Sequence, residues 1–501
     1  MRTKRALYNT LTAIFMQLVN FGAGLIIPRL IIQSYGSDVN GLVVSVVQFI
    51  GYLYLIEVGI SGALTFSLYK PLTEGDSGSV NRILAAAKKT YRQVGLYAAG
   101  IVLVMMFVYP LFVMGEQVKY LDVLILVGAV GSASLLNYFT IAKYNALLTA
   151  SQANYVLSLF RIVYLVANTV IIVSLVQAGV HYSLVYTAAL GAQVLQAAGI
   201  TFYVKRKYPD VRFDVEPDMS ALANRNNVLV HELSRMAVFG SPVILLTLFA
   251  ALTDVSIYSI YALVFTGINM MIGVFNNGFT AGFGQLFTRK ELHDNLRVSY
   301  SQYELLFYMI LTFVYSCAWI LGLPFVHVYT NGISTTDYED AIVLMLFVGI
   351  GVLENWKIPQ STLIIAAGHF KQTRHRAIIE AVIVLIASTI LVFPLGLKGV
   401  LIGSMLGLAY RAIDLLYAHQ LIGVSFRPTL MRLIRVFVTG AIIILPFETI
   451  LPVKAEGMWE WLLLAIGVAA WAGFVVAAAN LLTERKALAA VFSRVWKIFR
   501  P

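Results

Sequence analysis

Apolar residues in this chain run in unbroken blocks of about twenty, joined by short polar connections. Blocks of that length match the thickness of a bilayer crossed by a helix at 1.5 Å per residue, and they show no strand-like alternation. The first, about 8–32, follows Arg2, Lys4 and Arg5. It is too long for a cleaved signal segment and lacks a small-residue cleavage site, so it is expected to be a retained span. Further spans are predicted near 41–67, 93–114, 122–142, 156–177 and 183–204, before a polar stretch at 205–227. Eight more follow near 228–252, 255–287, 300–322, 341–366, 377–394, 399–420, 433–451 and 459–482. The expected fold class is an all-α polytopic membrane protein with about 14 transmembrane helices.

Composition agrees with the pattern. Of 501 residues, 59% are hydrophobic and 12% charged, and mean hydropathy is +0.81. Soluble domains carry about twice that share of charge, so a soluble multidomain enzyme and a disordered chain are both excluded. Cys317 is the only cysteine, which rules out an intrachain disulfide and a cysteine metal cluster. The seven histidines are scattered, and His231-Glu232 begins like a zincin helix but has Arg235 four residues after the histidine. No metal and no cofactor is expected. The net charge of +11 is explained by topology. With the N-terminus inside, the inner segments hold 29 Lys and Arg and the outer segments hold 4: Arg29, Lys119, Lys398 and Lys454. A wrong span count would scramble that division, so both termini are expected in the cytoplasm and nucleic acid is not expected as a partner. Two inner segments, 79–92 and 485–500, carry an apolar face beside basic residues and are expected to lie on the anionic inner leaflet.

The spans fall into two similar sets. Pro28 precedes Asn40 by twelve residues, as Pro242 precedes Asp254, and Gly59 matches Gly273 at the same offset of 214. Ala150-Ser151 matches Ala366-Ala367 at 216. A nearly constant offset over four landmarks points to duplication. The expected organisation is a six-helix lobe at 1–204, a cytoplasmic linker at 205–227 and a second six-helix lobe at 228–420. Two additional helices at 421–482 and a basic amphipathic tail at 483–501 complete it. Parallel repeats with an even helix count place a substrate site between the lobes near the midplane.

Several short motifs carry a resemblance. Ile27-Pro28-Arg29-Leu30, Tyr35-Gly36-Ser37-Asp38-Val39-Asn40-Gly41-Leu42 and Glu57-Val58-Gly59-Ile60-Ser61 resemble the first two spans of Wzx-type polysaccharide flippases. Gly75-Asp76, Val80-Asn81-Arg82-Ile83-Leu84 and Val255-Ser256-Ile257-Tyr258-Ser259-Ile260-Tyr261 extend the likeness. These flippases share a superfamily with lipid II flippases and MATE drug exporters. The resemblance implies alternating-access movement of a polyprenyl-pyrophosphate-linked oligosaccharide across a bacterial cell membrane. Many relatives have Thr-Asp in the seventh span where this chain has Ser241-Pro242, so no role is carried over there.

Ionisable groups at bilayer depth cost about 2.5–3.5 kcal/mol each on insertion scales and need a partner or a wet cavity. Glu57 has no basic neighbour on its own helix, since Leu53, Ile60 and Ser61 occupy the facing places. It is an ion-coupling candidate, either titrating or paired with a cation across the cavity, together with Glu354 and Asp414. Glu354 and Lys357 are three residues apart, as are Arg411 and Asp414, and each pair can neutralise itself. Lys357 and Arg411, with Arg29 and Arg161, are the candidate pyrophosphate contacts, although the latter two are near enough to an interface to snorkel. Asn269, Asn276 and Asn277 are candidates for lining a sugar cavity or for plain interhelical bonding. Gly399, Gly403 and Gly407 lead in steps of four to Arg411, a smooth face suited to close packing or to sliding.

Other classes fit less well. A MATE-type cation-coupled exporter would want an acid-rich cavity, and a lipid II-type flippase shares the helix plan. A major-facilitator transporter would show a Gly-Asp-Arg-type loop, absent between Lys70 and Arg92. A membrane glycosyltransferase would need acids in an ordered outer loop, and the longest such loop, 323–340, offers only Asp337, Glu339 and Asp340.

Overall fold

The structure is a computed structural model, which describes residues 2–113, 118–222, 225–287, 293–333, 336–451, 453–490 and 493. Among these residues there is no strand. The first helices are α1 (Arg2–Tyr35), α2 (Ser37–Gly51), α3 (Tyr54–Glu74), α4 (Ser77–Val108), the short α5 (Pro110–Val113) and α6 (Tyr120–Leu136). A π-helical turn, Asn137–Ile141, joins α6 to α7 (Ala142–Ala150), and α8 (Asn154–Gln177) and α9 (Tyr182–Lys207) follow. After the polar stretch come α10 (Arg225–Phe249), α11 (Leu252–Phe287), α12 (His293–Thr330), α13 (Ala341–Trp356), α14 (Ile358–Ala366) and α15 (Phe370–Asp414). The last two are α16 (Arg427–Thr449) and α17 (Met458–Thr483).

Eleven described helices are long and apolar enough to cross a membrane. One of them, Gln372–Ile422, folds back at Gly396, whose φ of 54° lies outside the helical region, and so makes two passes. The shorter apolar helices Ser37–Gly51 and Leu233–Phe249 supply the other two predicted spans. The expected helix plan is therefore present. Lipid-length helices stay apolar on their outer faces, as on α1, where Leu11, Phe15 and Leu18 are exposed.

Two compact units divide the chain, Met1–Ser259 and Ile260–Pro501. In the first, α1 packs along α8, and α8 along α9. α10 joins this unit by packing on α2 and α3, and the start of α11 by meeting α2. Asn40 Nδ2 donates to Ser256 Oγ at 2.8 Å and to Ser259 Oγ at 3.2 Å. Ser45 Oγ lies 2.6 Å from Thr247 Oγ1, and Tyr109 donates to the same serine at 2.6 Å. A Cβ added at Gly41 would overlap the Leu252 carbonyl oxygen, so only glycine permits this approach.

The duplication is visible in the turns. Ser151, Gln152 and Ala153 donate to the carbonyls of Leu147, Thr149 and Leu148; Ala367, Gly368 and His369 donate to those of Leu363, Ile365 and Ile364. Gln152 (φ 57°) and Gly368 (φ 71°), 216 residues apart, occupy the same left-handed position of a Schellman-type ending. The helix before each turn is also interrupted, at 137–141 in one repeat and at Trp356–Ile358 in the other.

One expectation fails. Residues 79–92 form the start of α4 and have no free apolar face to offer a leaflet, because Ile83, Leu84 and Tyr91 are buried against protein. The apolar face that suggested a membrane surface is covered by α3 and by residues 208–222. That polar stretch is a docked strap. Asn81 holds the backbone at Asp210 and Arg212, Asp218 N–H donates to the Arg82 carbonyl, and Ser67 donates to the Ala221 carbonyl. Lys88 binds Asp214 at 2.9 Å and holds its carboxyl below the usual carboxylate range. The expected leaflet-bound tail falls largely outside the described residues.

Candidate functional site

α15 is built as a tight hairpin, and that packing creates a charge cluster. A Cβ at Gly399 would overlap the Leu391 carbonyl, one at Gly403 the backbone of Ser388, and one at Gly407 the Val384 side chain. Ser388 Oγ donates across to the Val400 carbonyl at 3.0 Å. The glycines at every fourth position thus face residues spaced about one helical turn apart on the other arm. The next steps of both series are Arg411 and Glu380. They meet, with Arg411 Nε 3.5 Å from Glu380 Oε2.

Lys357 reaches the same carboxylate. It sits where α13 ends and α14 begins, ahead of Pro359, so it leaves the stripe that would place it beside Glu354. Its Nζ donates to Glu380 Oε1 at 2.8 Å. Arg411 Nη1 binds Asp414 Oδ2 at 2.8 Å, and Arg376 Nη1 binds Asp414 Oδ1 at 2.9 Å. Lys357, Glu380, Arg411, Asp414 and Arg376 form an alternating row of three cations and two carboxylates, with one net positive charge. The first four side chains are 10–15% exposed and Arg376 is 40% exposed, so the row is most open at the Arg376 end. The Arg376 guanidinium also lies 4.5 Å from the Tyr417 ring centroid.

Two expected pairs fare differently. Arg411–Asp414 forms as the spacing suggests, whereas Lys357 turns from Glu354 to Glu380. Glu354 instead accepts from Asn269 Nδ2 at 3.1 Å. Asn269 Oδ1 in turn accepts from Asn355 at 2.8 Å and from Tyr315 at 3.3 Å. Asn276 Oδ1 accepts from Tyr303 and Thr362, so both asparagines bond between helices. The Asn277 side chain lies outside the described residues.

In the first unit Glu57 is 2% exposed. Asn137 Nδ2 donates to Glu57 Oε2 at 2.6 Å and Asn145 Nδ2 to Oε1 at 3.3 Å, with the Tyr54 hydroxyl also beside it. Among the described residues no cation stands at salt-bridge distance, so of the two expectations the cation pair is not formed here, and side-chain amides hold the carboxylate instead. Asn137 opens the π-helical turn, and such turns are frequent at functional sites. Arg161 is exposed on α8 over the Tyr164 ring at 4.6 Å, and its charge acts on Tyr54. Arg29 is half-buried, directly after Pro28 in α1. The two repeats share a further detail. An acid on the second span, Glu57, bonds an amide on the fourth; in the second repeat the amide, Asn269, is on the second span and the acid, Glu354, on the fourth.

Several contributors escaped the sequence reading. Glu380 and Arg376 stand near the inner end of a span, where charge is unremarkable in sequence. The glycine series, continued onto the preceding arm, was the available signal. A second network was also missed. Arg432, counted as a loop charge, is buried on α16 and uses all its donors: Nη1 to Glu304 Oε2 at 2.7 Å and to the Ser301 carbonyl, Nη2 to Ser301 Oγ and Glu484 Oε2, and Nε to Glu484 Oε1. Glu304 Oε1 accepts from Thr429 at 2.7 Å, and His419 Nε2 is 2.7 Å from the same threonine. This network binds α16 and the end of α17 to α12. The acids of the 323–340 loop are structural: Asp340 caps α13 through the N–H groups of Ile342 and Val343 and pairs with Lys398, and Glu339 pairs with His327.

No protein-family model matches the chain, and no curated protein matches its sequence. Solved structures do match. The inward closed lipid II flippase MurJ is similar at a TM-score of 0.66 and 11% identity, over 96% of this chain and all of that one. An inward-facing multidrug resistance MATE family transporter of the MOP superfamily matches at 0.61 and 16% identity, over 81% of this chain and 94% of the other. An outward-facing MATE family transporter matches at 0.55 and 18% identity, over 84% and 94%. The chain shares the overall fold of these three structures. These similar structures are of transporters and a flippase, not enzymes.

Proposed function

We propose that the chain is a flippase for a polyprenyl-pyrophosphate-linked oligosaccharide, moving it from the cytoplasmic to the outer leaflet by alternating access in polysaccharide or cell-envelope biosynthesis. The observation that carries this reading is the row Lys357, Glu380, Arg411, Asp414 and Arg376, in which two largely buried cations are balanced by two carboxylates and Arg376 adds one net positive charge at the more exposed end. A pyrophosphate between a polar glycan and a prenyl tail needs cations where the dielectric is low, and Arg offers two parallel donors to it. The prenyl tail remains in lipid while the head group passes the cavity. Arg161, exposed within α8, is a second contact for the anionic or sugar part, and Arg29 a third.

Coupling to a proton or sodium gradient is assigned to Glu57, a buried carboxylate held by neutral amides. Glu354 and Asp414 are weaker choices because each is committed to protein partners. The membrane assigned is the bacterial inner membrane with both termini cytoplasmic, as the distribution of Lys and Arg supports. Glu57 also favours one alternative, a MATE-type exporter of cationic drugs, for which a buried acid would hold the substrate.

The deciding experiment is reconstitution in liposomes. Protein-dependent movement of a polyprenyl-pyrophosphate oligosaccharide is scored by an impermeant glycan-modifying reagent. The flippase reading expects faster movement than in empty liposomes. Folded protein that moves none, with or without an imposed gradient, while extruding organic cations, would establish the exporter instead.

A further inference from the structure

Glu380 is placed unlike a simple counter-ion. Its two carboxylate oxygens are divided between two cations from different segments: Oε1 takes Lys357 Nζ from the α13–α14 junction, and Oε2 faces Arg411 Nε from the second arm of α15. A phosphate oxygen pair bridging Lys357 and Arg411 would occupy the same place. The remaining carboxylate of the row, Asp414, is held by Arg411 Nη1 and Arg376. Beside it the Tyr417 hydroxyl is buried and has no hydrogen-bond partner among the described residues. Its ring carries Arg376, and the charges of Arg411 and Asp414 act on it. A buried hydroxyl without an acceptor is costly, and an incoming phosphate oxygen would supply one.

We propose that Glu380 is a resident anion that occupies the phosphate position between Lys357 and Arg411, and that a pyrophosphate head group binds by displacing it. This rests on the anionic-lipid reading above and deepens it, since it names the group that the substrate must replace. The consequence is a site that stays neutralised when empty. Lys357 and Arg411 do not stand as bare charges at bilayer depth between turnovers, which would cost more than the paired state. Displacement swings the carboxylate from one anion position and leaves the cations in place. The hairpin packing at Gly399, Gly403 and Gly407 holds Arg411 still, so the exchange requires rotation of one side chain rather than movement of a helix. Tyr417 then donates to the new occupant and distinguishes it from Glu380, which does not reach that hydroxyl.

The test uses purified full-length protein in nanodiscs with three probes: farnesyl pyrophosphate, inorganic pyrophosphate and farnesol. Glu380→Gln should bind both pyrophosphates about tenfold tighter than the wild type and farnesol no better. The gain should vanish in the Glu380→Gln, Lys357→Ala double variant, because the two side chains act on one position. Tyr417→Phe should weaken pyrophosphate binding in the wild type and in Glu380→Gln alike. Unchanged or weaker binding by Glu380→Gln overturns the proposal, as does a gain that survives loss of Lys357. A fall in melting temperature without a change in affinity shows Glu380 to be structural only, and also overturns it. Should Glu380→Gln not fold, Glu380→Asp keeps the charge but shortens its reach to the two cations. It should bind pyrophosphate more tightly than the wild type, and equal affinity would refute displacement. Failure of the two readings is distinguishable. Tighter pyrophosphate binding by Glu380→Gln with no lipid transport by wild-type protein leaves the exchange standing and removes the flippase. Transport that is indifferent to Glu380 and Lys357 does the reverse.

Discussion

At the scale of single residues, charge placement decides what the protein can hold. Lys357 and Arg411 share one carboxylate and remain 11–15% exposed, so each is neutralised at rest yet within reach of a ligand. Lys357→Ala and Arg411→Ala are expected to reduce glycolipid transport by about tenfold or more, the scale of one lost charge-assisted bond, without blocking membrane insertion. Initial rates in liposomes, with protease accessibility as the check on insertion, provide the measurement; normal rates in correctly inserted variants would remove the pyrophosphate role. Arg432 differs in kind, because Glu304, Glu484 and Ser301 together use its entire guanidinium. Removing one partner from a buried ion pair costs about 3–5 kcal/mol, so Arg432→Ala should sharply lower the melting temperature. Arg432→Lys should not restore it, since an ammonium cannot span both carboxylates. Wild-type melting in the lysine variant would contradict this.

At the scale of elements, glycine does the positioning. The arms of α15 approach so closely that side chains at Gly399 or Gly403 would meet backbone rather than flexible neighbours. Gly403→Leu is therefore expected to cost at least the 1–3 kcal/mol typical of overpacking, given about that much for added methylenes in a packed core. It should also separate Arg411 from Glu380 and depress transport beyond its effect on folding. A variant that melts lower yet binds and transports normally would show that the hairpin and the charge row are independent. The motifs that carry the sequence resemblance turn out to sit at joints of this kind. Gly36 and Gly75 adopt positive φ, Asp76 caps α4 through Ser79 N–H, Asn81 holds the strap, and Gly41 admits Leu252.

At the scale of the whole molecule, alternating access requires some packed contacts to open and close. Within the first unit, α2 is zipped to α10 and α11 by Asn40–Ser256 and Ser45–Thr247. These are the contacts expected to part during transport. The chain has one cysteine, so Ser45→Cys with Thr247→Cys in a Cys317→Ala background permits a clean cross-link. The hydroxyl oxygens lie 2.6 Å apart, so the two side chains face each other. Oxidation should stop transport and reduction should restore it; full activity of the cross-linked protein would show that this contact never opens.

Span number, helix plan and the duplication were legible in the sequence because each rests on local chemistry. A bilayer demands apolar blocks of set length, and a duplicated turn keeps its spacing even where its residues differ, as Gln152 and Gly368 do. The Arg411–Asp414 pair was legible for the same reason, since three residues along a helix fix a shared face. Pairing between helices was not. Lys357 met Glu380 rather than Glu354 because the helix breaks beside it, and Glu57 met Asn137 in a π-turn with no sequence signature and Asn145 on the helix that follows. Arg432 passed for a loop charge and the face of 79–92 for a membrane surface, since exposure belongs to what packs above a residue. The chain's own order therefore determined that it crosses the membrane and repeats itself. Only tertiary packing decided which carboxylate each cation meets, because that choice is settled by contacts between residues distant in sequence.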